Sequence, residues 1–264
     1  MEERAIGNPA LEEGAEERDV VQEQRDQMLK LVTKGFYSEL TNFGVEPKEV
    51  LKVASHLLDN IMGKKDLSEN GIPYYNNLFD LQTVRDDWSG SQTIGVQEVS
   101  IAPLEPETVP QVFGWLDDPV VRNSFVPPFP ESEQGLGGHL FSPSSCFFQI
   151  LYEGTPVGIV GGEERDDSTG KLAMKKLVGV EGMQGKGIGK RATFGFLYYA
   201  FLILGMNKVY IHSRDINIRN INLNSRFGFE VEGIFYEDLF VDGEHRDVVR
   251  MALLKRTWLE VFSS

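Results

Sequence analysis

The chain has 264 residues, of which 41% are hydrophobic and 25% are charged, and its formal net charge is −14 at pH 7. This length suffices to bury a sizeable core in one large domain or two smaller ones. Because nucleic-acid phosphates bind basic surfaces, the acidic charge argues against a nucleic acid as the main partner and favours cationic ligands such as amines.

The sequence carries no sign of secretion or membrane insertion. Its single cysteine, Cys146, excludes an intramolecular disulfide. The N-terminal residues are acidic and lack an apolar stretch, unlike a signal or transit peptide. The longest uncharged apolar run, residues 194–206, is shorter than the roughly 20 residues that a membrane span needs. We therefore expect an intracellular, cytoplasmic protein that does not contact the membrane.

Composition divides the chain into three parts. Residues 1–19 are rich in Glu, Ala and Gly, have few large apolar side chains and are predicted to be disordered. Residues 20–64 carry apolar side chains at helical spacing on either side of a break at NFGVEPKE, which predicts a helical hairpin. An irregular connector follows, so residues 20–95 are predicted to form a small helical N-terminal extension and connector.

Residues 96–264 mix strand and helix patterns, which predicts an α+β domain with a mixed sheet. The predicted elements are, in chain order, a strand at 96–104, one or two helices within 106–125, two strands within 146–164 joined by a turn at EGTP, a strand at 172–180, a helix at 191–204, a strand at 208–213, a short helix within 219–227 and a hairpin over 231–255. The helix at 191–204 is apolar nearly all round, so we expect a second face to pack on the N-terminal hairpin or on a second subunit of a homodimer.

A glycine-rich turn, QGKGIG at 184–189, lies between a predicted strand and this helix. A helix begins with unpaired N–H groups and a partial positive charge, so a glycine turn leading into one is suited to bind an anion. Lys186, Lys190 and Arg191 add positive charge at the same place. The turn is therefore predicted to bind phosphate.

Two familiar phosphate motifs fit this turn poorly. A P-loop has four residues between its first glycine and Gly-Lys, followed by Ser or Thr, whereas only three residues separate Gly185 from Gly189 and arginine follows Lys190. A dinucleotide fingerprint on Gly187, Gly189 and Ala192 should follow its strand almost directly, but that strand is predicted to end several residues earlier.

Gln184, Gly187 and Gly189 instead fit Q-x-x-G-x-G, and here the sequence resembles the GCN5-related N-acetyltransferase (GNAT) family. The order of strand, loop, helix, strand and short helix also matches, as does Gly-Phe after the short helix. Glu232-Gly233, Gly243 and Asp247 resemble the branch that acetylates ribosomal-protein N-termini, polyamines and amino sugars. The resemblance covers about residues 96–255 and implies a mostly antiparallel central sheet flanked by helices.

The resemblance implies acetyl-CoA as co-substrate and no metal. Acetyl-CoA would bind where two central strands splay apart, with its pantetheine along the strand before the loop and its pyrophosphate on the loop N–H groups. Asn217 would contact the pantetheine arm. The implied binding residues are Leu177, Val178, Gly179, Val180, Gln184, Gly185, Lys186, Gly187, Ile188, Gly189, Lys190 and Asn217.

The sequence departs from the family pattern at both catalytic positions. A tyrosine that donates a proton to the thiolate in many members is Asn224 here, and the strand before the loop has lysines where many members have a glutamate. Glu163 and Glu164 are candidate bases, and Tyr236 and His245 could approach the cleft from the last hairpin. The sequence thus predicts an N-acetyltransferase acting on a small-molecule or peptide primary amine, with a non-catalytic acyl-CoA-binding module as the alternative.

Overall fold

A computed structural model describes residues 9–42, 74–122, 124–214, 223–241 and 243–263. The chain divides into two compact units, Met1–Leu67 and Ser68–Ser264. The described part of the first unit is one helix, α1 (Pro9–Asn42), which includes residues 9–19. Glu and Ala are good helix formers, and Pro9 suits a first helical position. The second helix of the predicted hairpin lies outside the described residues.

The second unit contains a nine-stranded sheet in the order β1-β2-β3-β4-β5-β6-β7-β9-β8. All neighbouring strands run antiparallel except β6 and β7, which run parallel. The predicted mixed, mostly antiparallel sheet is therefore confirmed. The strands are β1 (Arg85–Asp87), β2 (Thr93–Val96), β3 (Val99–Pro103), β4 (Cys146–Tyr152), β5 (Thr155–Asp166), β6 (Lys171–Val178), β7 (Lys208–Arg214), β8 (Glu230–Val241) and β9 (Glu244–Leu254).

The sheet begins earlier than the sequence pattern indicates. β1 and β2 lie in the stretch for which an irregular connector was predicted, and they extend the sheet beyond β3. They are too short for apolar alternation to show, and all three side chains of β1 are exposed. The edge is held instead by Trp88, whose ring lies 5.9 Å from Phe148 and 4.8 Å from Tyr199.

Helices cover both faces of the sheet. They are α2 (Val109–Trp115), α3 (Pro119–Arg122), α4 (Glu133–Leu140), α5 (Ile188–Tyr198), which continues as a π-helix over Tyr199–Ile203, and α6 (Lys255–Phe262). α2 and α4 share one apolar core with Leu177 of β6. A side chain at Gly189 in α5 would contact Lys176 and Val178, which alternate to the opposite face of β6. α5 thus covers the other face.

The apolar surface of α5 is covered by parts of the same unit. Phe194 stacks on Phe79 at 4.9 Å and lies 5.6 Å from Trp258 and 5.1 Å from Phe262 of α6. The expectation that this helix needs the N-terminal hairpin or a second subunit to cover its apolar surface is therefore corrected. The expectation arose because α6, which supplies part of the cover, was not among the predicted elements. Among the described residues, no helix combines the length and apolar character required to cross a membrane.

Candidate active site

The parallel strands β6 and β7 separate soon after they meet. They pair only at Lys171–Ala173 and Lys208–Tyr210, after which β6 stays with β5 and β7 stays with β9. The two strands therefore open a V-shaped gap, whose β6 side continues to Val178. Gly158 allows β5 to follow β6 closely here, since a Cβ at Gly158 would lie 2.0 Å from the Leu177 carbonyl oxygen.

The glycine turn connects the end of β6 to α5. Gly182, Gly185 and Gly187 have φ angles of 74°, 81° and 79°, a left-handed conformation that favours glycine. Gly187 is the N-cap of α5, so the first N–H groups of the helix have no intrahelical partner. Gln184 Nε2 donates to the Val178 carbonyl at 3.0 Å, which ties the turn to β6.

The three cations of the turn have different surroundings. Arg191 Nε lies 2.7 Å from Gln97 Oε1 and 3.1 Å from Glu98 Oε2, so its guanidinium holds the β2–β3 turn. The Lys190 ammonium lies 5.1 Å from the ring centre of Tyr75. Lys186 is exposed. Lys186 and Lys190 therefore carry no described carboxylate contact and remain the side chains suited to a phosphate.

Lys176 lies beneath the start of α5. Its Nζ donates to Thr193 Oγ1 at 2.8 Å, and that hydroxyl donates to the Gly189 carbonyl at 2.8 Å. Burial lowers the pKa of the Lys176 ammonium from the ordinary 10.5 to about 8. Among the described residues no carboxylate pairs with it, so this side chain places a weakly held proton beside the glycine turn.

Lys176 makes stability depend on pH. The unfolded chain keeps the Lys176 proton up to its ordinary pKa of 10.5, whereas the folded chain releases it near pH 8. Between these values the unfolded state binds more protons, so stability rises with pH. From pH 8 to pH 10 we expect the free energy of unfolding of the wild type to rise relative to Lys176→Met, by up to about 3 kcal/mol. Urea unfolding at several pH values measures this, and parallel curves for the two proteins would contradict it.

Glu163 is enclosed in a buried charge cluster. Its Oε1 lies 2.8 Å from Lys175 Nζ and its Oε2 lies 2.9 Å from His139 Nε2. Lys175 Nζ also donates to the Pro127 carbonyl at 2.8 Å. Burial raises the pKa of Glu163, but the His139 hydrogen bond and the Lys175 charge outweigh burial and hold the net pKa below its ordinary range. Both oxygens of this candidate base are thus occupied.

The other candidate catalytic side chains lie in varied positions. Glu164 is exposed, and its Oε2 accepts a 2.5 Å hydrogen bond from the Tyr210 hydroxyl. Tyr236 is 61% exposed on β8, which β7 and β9 separate from the gap. His245 lies next to the turn between β8 and β9. Five residues at strand spacing place it about 17 Å along β9 from Arg250. The catalytic roles of Glu163, Glu164 and Tyr236 remain predictions.

Of two further positions that the sequence analysis singled out, Asn217 and Asn224, the structure describes only Asn224. Asn217 lies outside the described residues, so its contact with the pantetheine stays a prediction. Asn224 is only 2% exposed, and its carbonyl accepts from the backbone N–H groups of Phe227 and Phe229. Asn224 therefore helps to form the Gly-Phe turn. No group of three His, Cys, Asp or Glu side chains suited to a metal ion occurs within the described ranges.

The sequence analysis did not identify three residues on the β7 side of the gap region as candidate site residues: Tyr210, His212 and Arg250. The Arg250 guanidinium lies 3.8 Å from the ring centre of Tyr210, and His212 pairs with Arg250 across β7 and β9. The strand containing Tyr210 and His212 was predicted, but its register against β6 was not. Only that register reveals that these side chains lie where the strands separate.

Comparison with known proteins agrees with this geometry. Residues 111–229 match the model of the acetyltransferase (GNAT) family. Spermidine N(1)-acetyltransferase of Escherichia coli is 28% identical over 166 residues, which cover 61% of this chain and 88% of that protein. The putative ribosomal N-acetyltransferase YdaF of Bacillus subtilis is 33% identical over 109 residues, which cover 41% of this chain and 59% of that protein.

Solved structures share the fold. A dodecameric spermidine N-acetyltransferase from Vibrio cholerae matches with a TM-score of 0.54 and 23% identity, over 62% of this chain and 98% of that one. A spermidine/spermine N-acetyltransferase from the same organism matches with a TM-score of 0.55 and 22% identity, over 62% and 98% of the two chains. At this identity the likeness concerns the arrangement of helices and strands alone.

Proposed function

We propose that this chain, whose residues 111–229 match the GNAT acetyltransferase family, transfers the acetyl group of acetyl-CoA to a primary amine of a polyamine. The observation that carries the proposal is the gap between β6 and β7, which opens beside the glycine turn. A thioester in that gap would lie between the exposed edges of two strands, within reach of an amine from the α2–α4 face.

The residues of the turn fit the acetyl-CoA donor that this family uses. Gly182 and Gly185 have open space where a Cβ would project, so a pyrophosphate could approach their backbone. Lys186 and Lys190 would add charge to the helix N-terminus. Backbone groups of Leu177–Val180 would hydrogen-bond the pantetheine, and one strand N–H would polarise the thioester carbonyl.

Charge supports a polycationic acceptor. The net charge of −14 raises the local concentration of polyamines around the protein. On the face that bears Tyr210 and Arg250, the exposed carboxylate of Glu164 contacts the Tyr210 hydroxyl, which lies at the last pair between β6 and β7. This carboxylate could hold an ammonium group of a polyamine that does not react. The spermidine acetyltransferases among the relatives agree with this choice.

Two other possibilities keep specific support. The ribosomal N-acetyltransferase relative favours a protein N-terminus as acceptor, and asparagine at position 224 keeps the non-catalytic acyl-CoA-binding module open. The dodecameric relative from Vibrio cholerae supports assembly of this chain into a homo-oligomer.

Acetyl transfer to spermidine separates these possibilities. We expect CoA release from acetyl-CoA to require spermidine, with the acetylated product identified by mass spectrometry. Because exposed charges are screened by salt, kcat/KM for spermidine should fall as ionic strength rises. For a monoamine whose remaining chain is uncharged, kcat/KM should change little. CoA release with N-terminal peptides alone would redirect the proposal to proteins. Tight acetyl-CoA binding without release for any amine would favour the binding module.

A further inference from the structure

His212 lies at the mouth of the gap. The last pair between β6 and β7 joins Ala173 to Tyr210, so His212 follows the point of separation by two residues. Ala173 also pairs with Glu163 of β5. Since directly paired side chains share a sheet face and alternate residues repeat it, His212, Tyr210 and Glu163 lie on the α2–α4 face. An amine approaching from that face would meet His212 beside the separated strands.

The imidazole is held by packing alone. Its ring centre lies 5.5 Å from that of Tyr210 and 6.1 Å from that of Phe235, both in edge-to-face arrangements. The side chain is half-buried. Within the described ranges neither ring nitrogen makes a hydrogen bond to the protein, so both nitrogens remain available to a ligand.

Burial and the Arg250 guanidinium favour the neutral imidazole. Burial lowers the pKa of His212, the Arg250 guanidinium lowers it further, and nearby carboxylates oppose these effects without reversing them. At neutral pH the ring can therefore accept a proton. The titratable or charged groups that face His212 from its own and neighbouring strands are Tyr210, Arg250, Glu163, Glu164, Asp238 and, across the gap, Lys175.

The predicted acidic bases are less suited to this step. Glu163 is 3% exposed and bonded to both Lys175 and His139. Glu164 accepts from the Tyr210 hydroxyl. A base must reach the proton that it removes. His212 meets that requirement with two unengaged nitrogens at the gap.

We infer that His212 is the general base that takes a proton from the acceptor ammonium at the gap between β6 and β7. The inference rests on the proposed amine acetylation. Once neutral, the amine nitrogen forms a bond to the acetyl carbon and the C–S bond breaks. The thiolate of CoA takes the proton that the nitrogen then loses, and His212 releases its own proton to solvent. One proton per turnover is thus released overall.

His212→Gln tests the inference in the full chain, with His245→Gln as the matched control. We expect kcat/KM for spermidine to fall about 100-fold in His212→Gln, with unchanged acetyl-CoA affinity by calorimetry. The wild-type kcat/KM should fall at low pH along a limb below the ordinary histidine value, and the variant should lose that limb. His212→Asn provides a second variant if His212→Gln unfolds.

A nuclear magnetic resonance titration gives a readout independent of turnover. The chain has four histidines, so the resonance absent from His212→Gln identifies His212. We expect its titration midpoint to match the wild-type acid limb and its position to shift when spermidine alone is added. Wild-type activity retained in His212→Gln, or a resonance indifferent to spermidine, would overturn the assignment. Absence of amine-dependent CoA release in the wild type would instead overturn the proposed function.

Discussion

Gly187→Trp is expected to weaken acetyl-CoA binding by about 1,000-fold or more, which corresponds to about 4 kcal/mol of binding free energy. Gly187 is the N-cap of α5 and has a φ of 79°, which L side chains rarely adopt. Its Cβ would lie 2.6 Å from Arg191 Nη1, so an indole would also crowd the cations of the turn. Calorimetric titration with acetyl-CoA measures the loss directly.

Gly205→Trp separates the loss of the site from the cost of the backbone. Gly205 has a φ of 78°, and a Cβ there would meet nothing within 4 Å. Both substitutions therefore strain a residue with left-handed backbone, but only Gly187 lies in the glycine turn at 184–189. We expect Gly205→Trp to bind acetyl-CoA like the wild type, although both variants lose stability. Equal binding by Gly187→Trp and the wild type would mean that the turn does not hold the pyrophosphate.

Local patterns predicted the elements that surround the turn. Apolar runs on either side of EGTP predicted β4 and β5, and the structure has left-handed Glu153 and Gly154 at that turn. The glycine turn and the start of α5 are equally local, because the φ angles of a few glycines fix the path of the chain. These features depend on neighbours in sequence, so the sequence reveals them.

Two helices escaped prediction because tertiary contacts stabilise them. α4 has the sequence EQGLGGHL, whose three glycines hide a helical pattern. Its Ser132 cap accepts from the Gly135 N–H at 3.1 Å, and Leu136 and Leu140 are buried. α6 begins directly after β9, with no turn residue to separate them.

The functional surroundings of the gap depend on register. Lys175 and Lys176 are adjacent in sequence. The family pattern showed only that this strand has lysines where many members have a glutamate. Strand alternation directs Lys175 to Glu163 and Lys176 to Thr193 on opposite sheet faces. Which carboxylate or hydroxyl each lysine meets is decided by strands far away in the chain, and no local spacing encodes it.

The pair formed by Glu163 and Lys175 gives the second large prediction. Lys175 is 6% exposed and Glu163 is 3% exposed. Removing one member of a buried ion pair leaves the other charge uncompensated, so Lys175→Met is expected to destabilise the protein by about 3 to 5 kcal/mol. Glu163→Gln should have a cost of the same order, because the buried Lys175 ammonium would lose its carboxylate partner and keep the Pro127 carbonyl and the Phe129 ring. Urea unfolding at pH 7 measures both.

The double variant Glu163→Gln/Lys175→Met completes the cycle. If the two charges stabilise each other, its loss of stability should be well below the sum of the single losses. The pH dependence has a defined sign. The folded pKa of Glu163 lies below the ordinary 4.5, so its contribution is present above that value and is lost as pH falls through the folded pKa. The double variant should lack this dependence, and additive losses would contradict the coupling.

The same cycle separates structure from catalysis at Glu163. If the carboxylate only holds Lys175 and His139, the double variant should fold and keep its kcat/KM for spermidine, since no charge is left unpaired. If Glu163 is the base, kcat/KM should stay low however well the double variant folds. Because Lys175→Met retains the carboxylate while removing its partner, its kcat/KM at a temperature where it remains folded shows whether the ion pair restrains proton transfer.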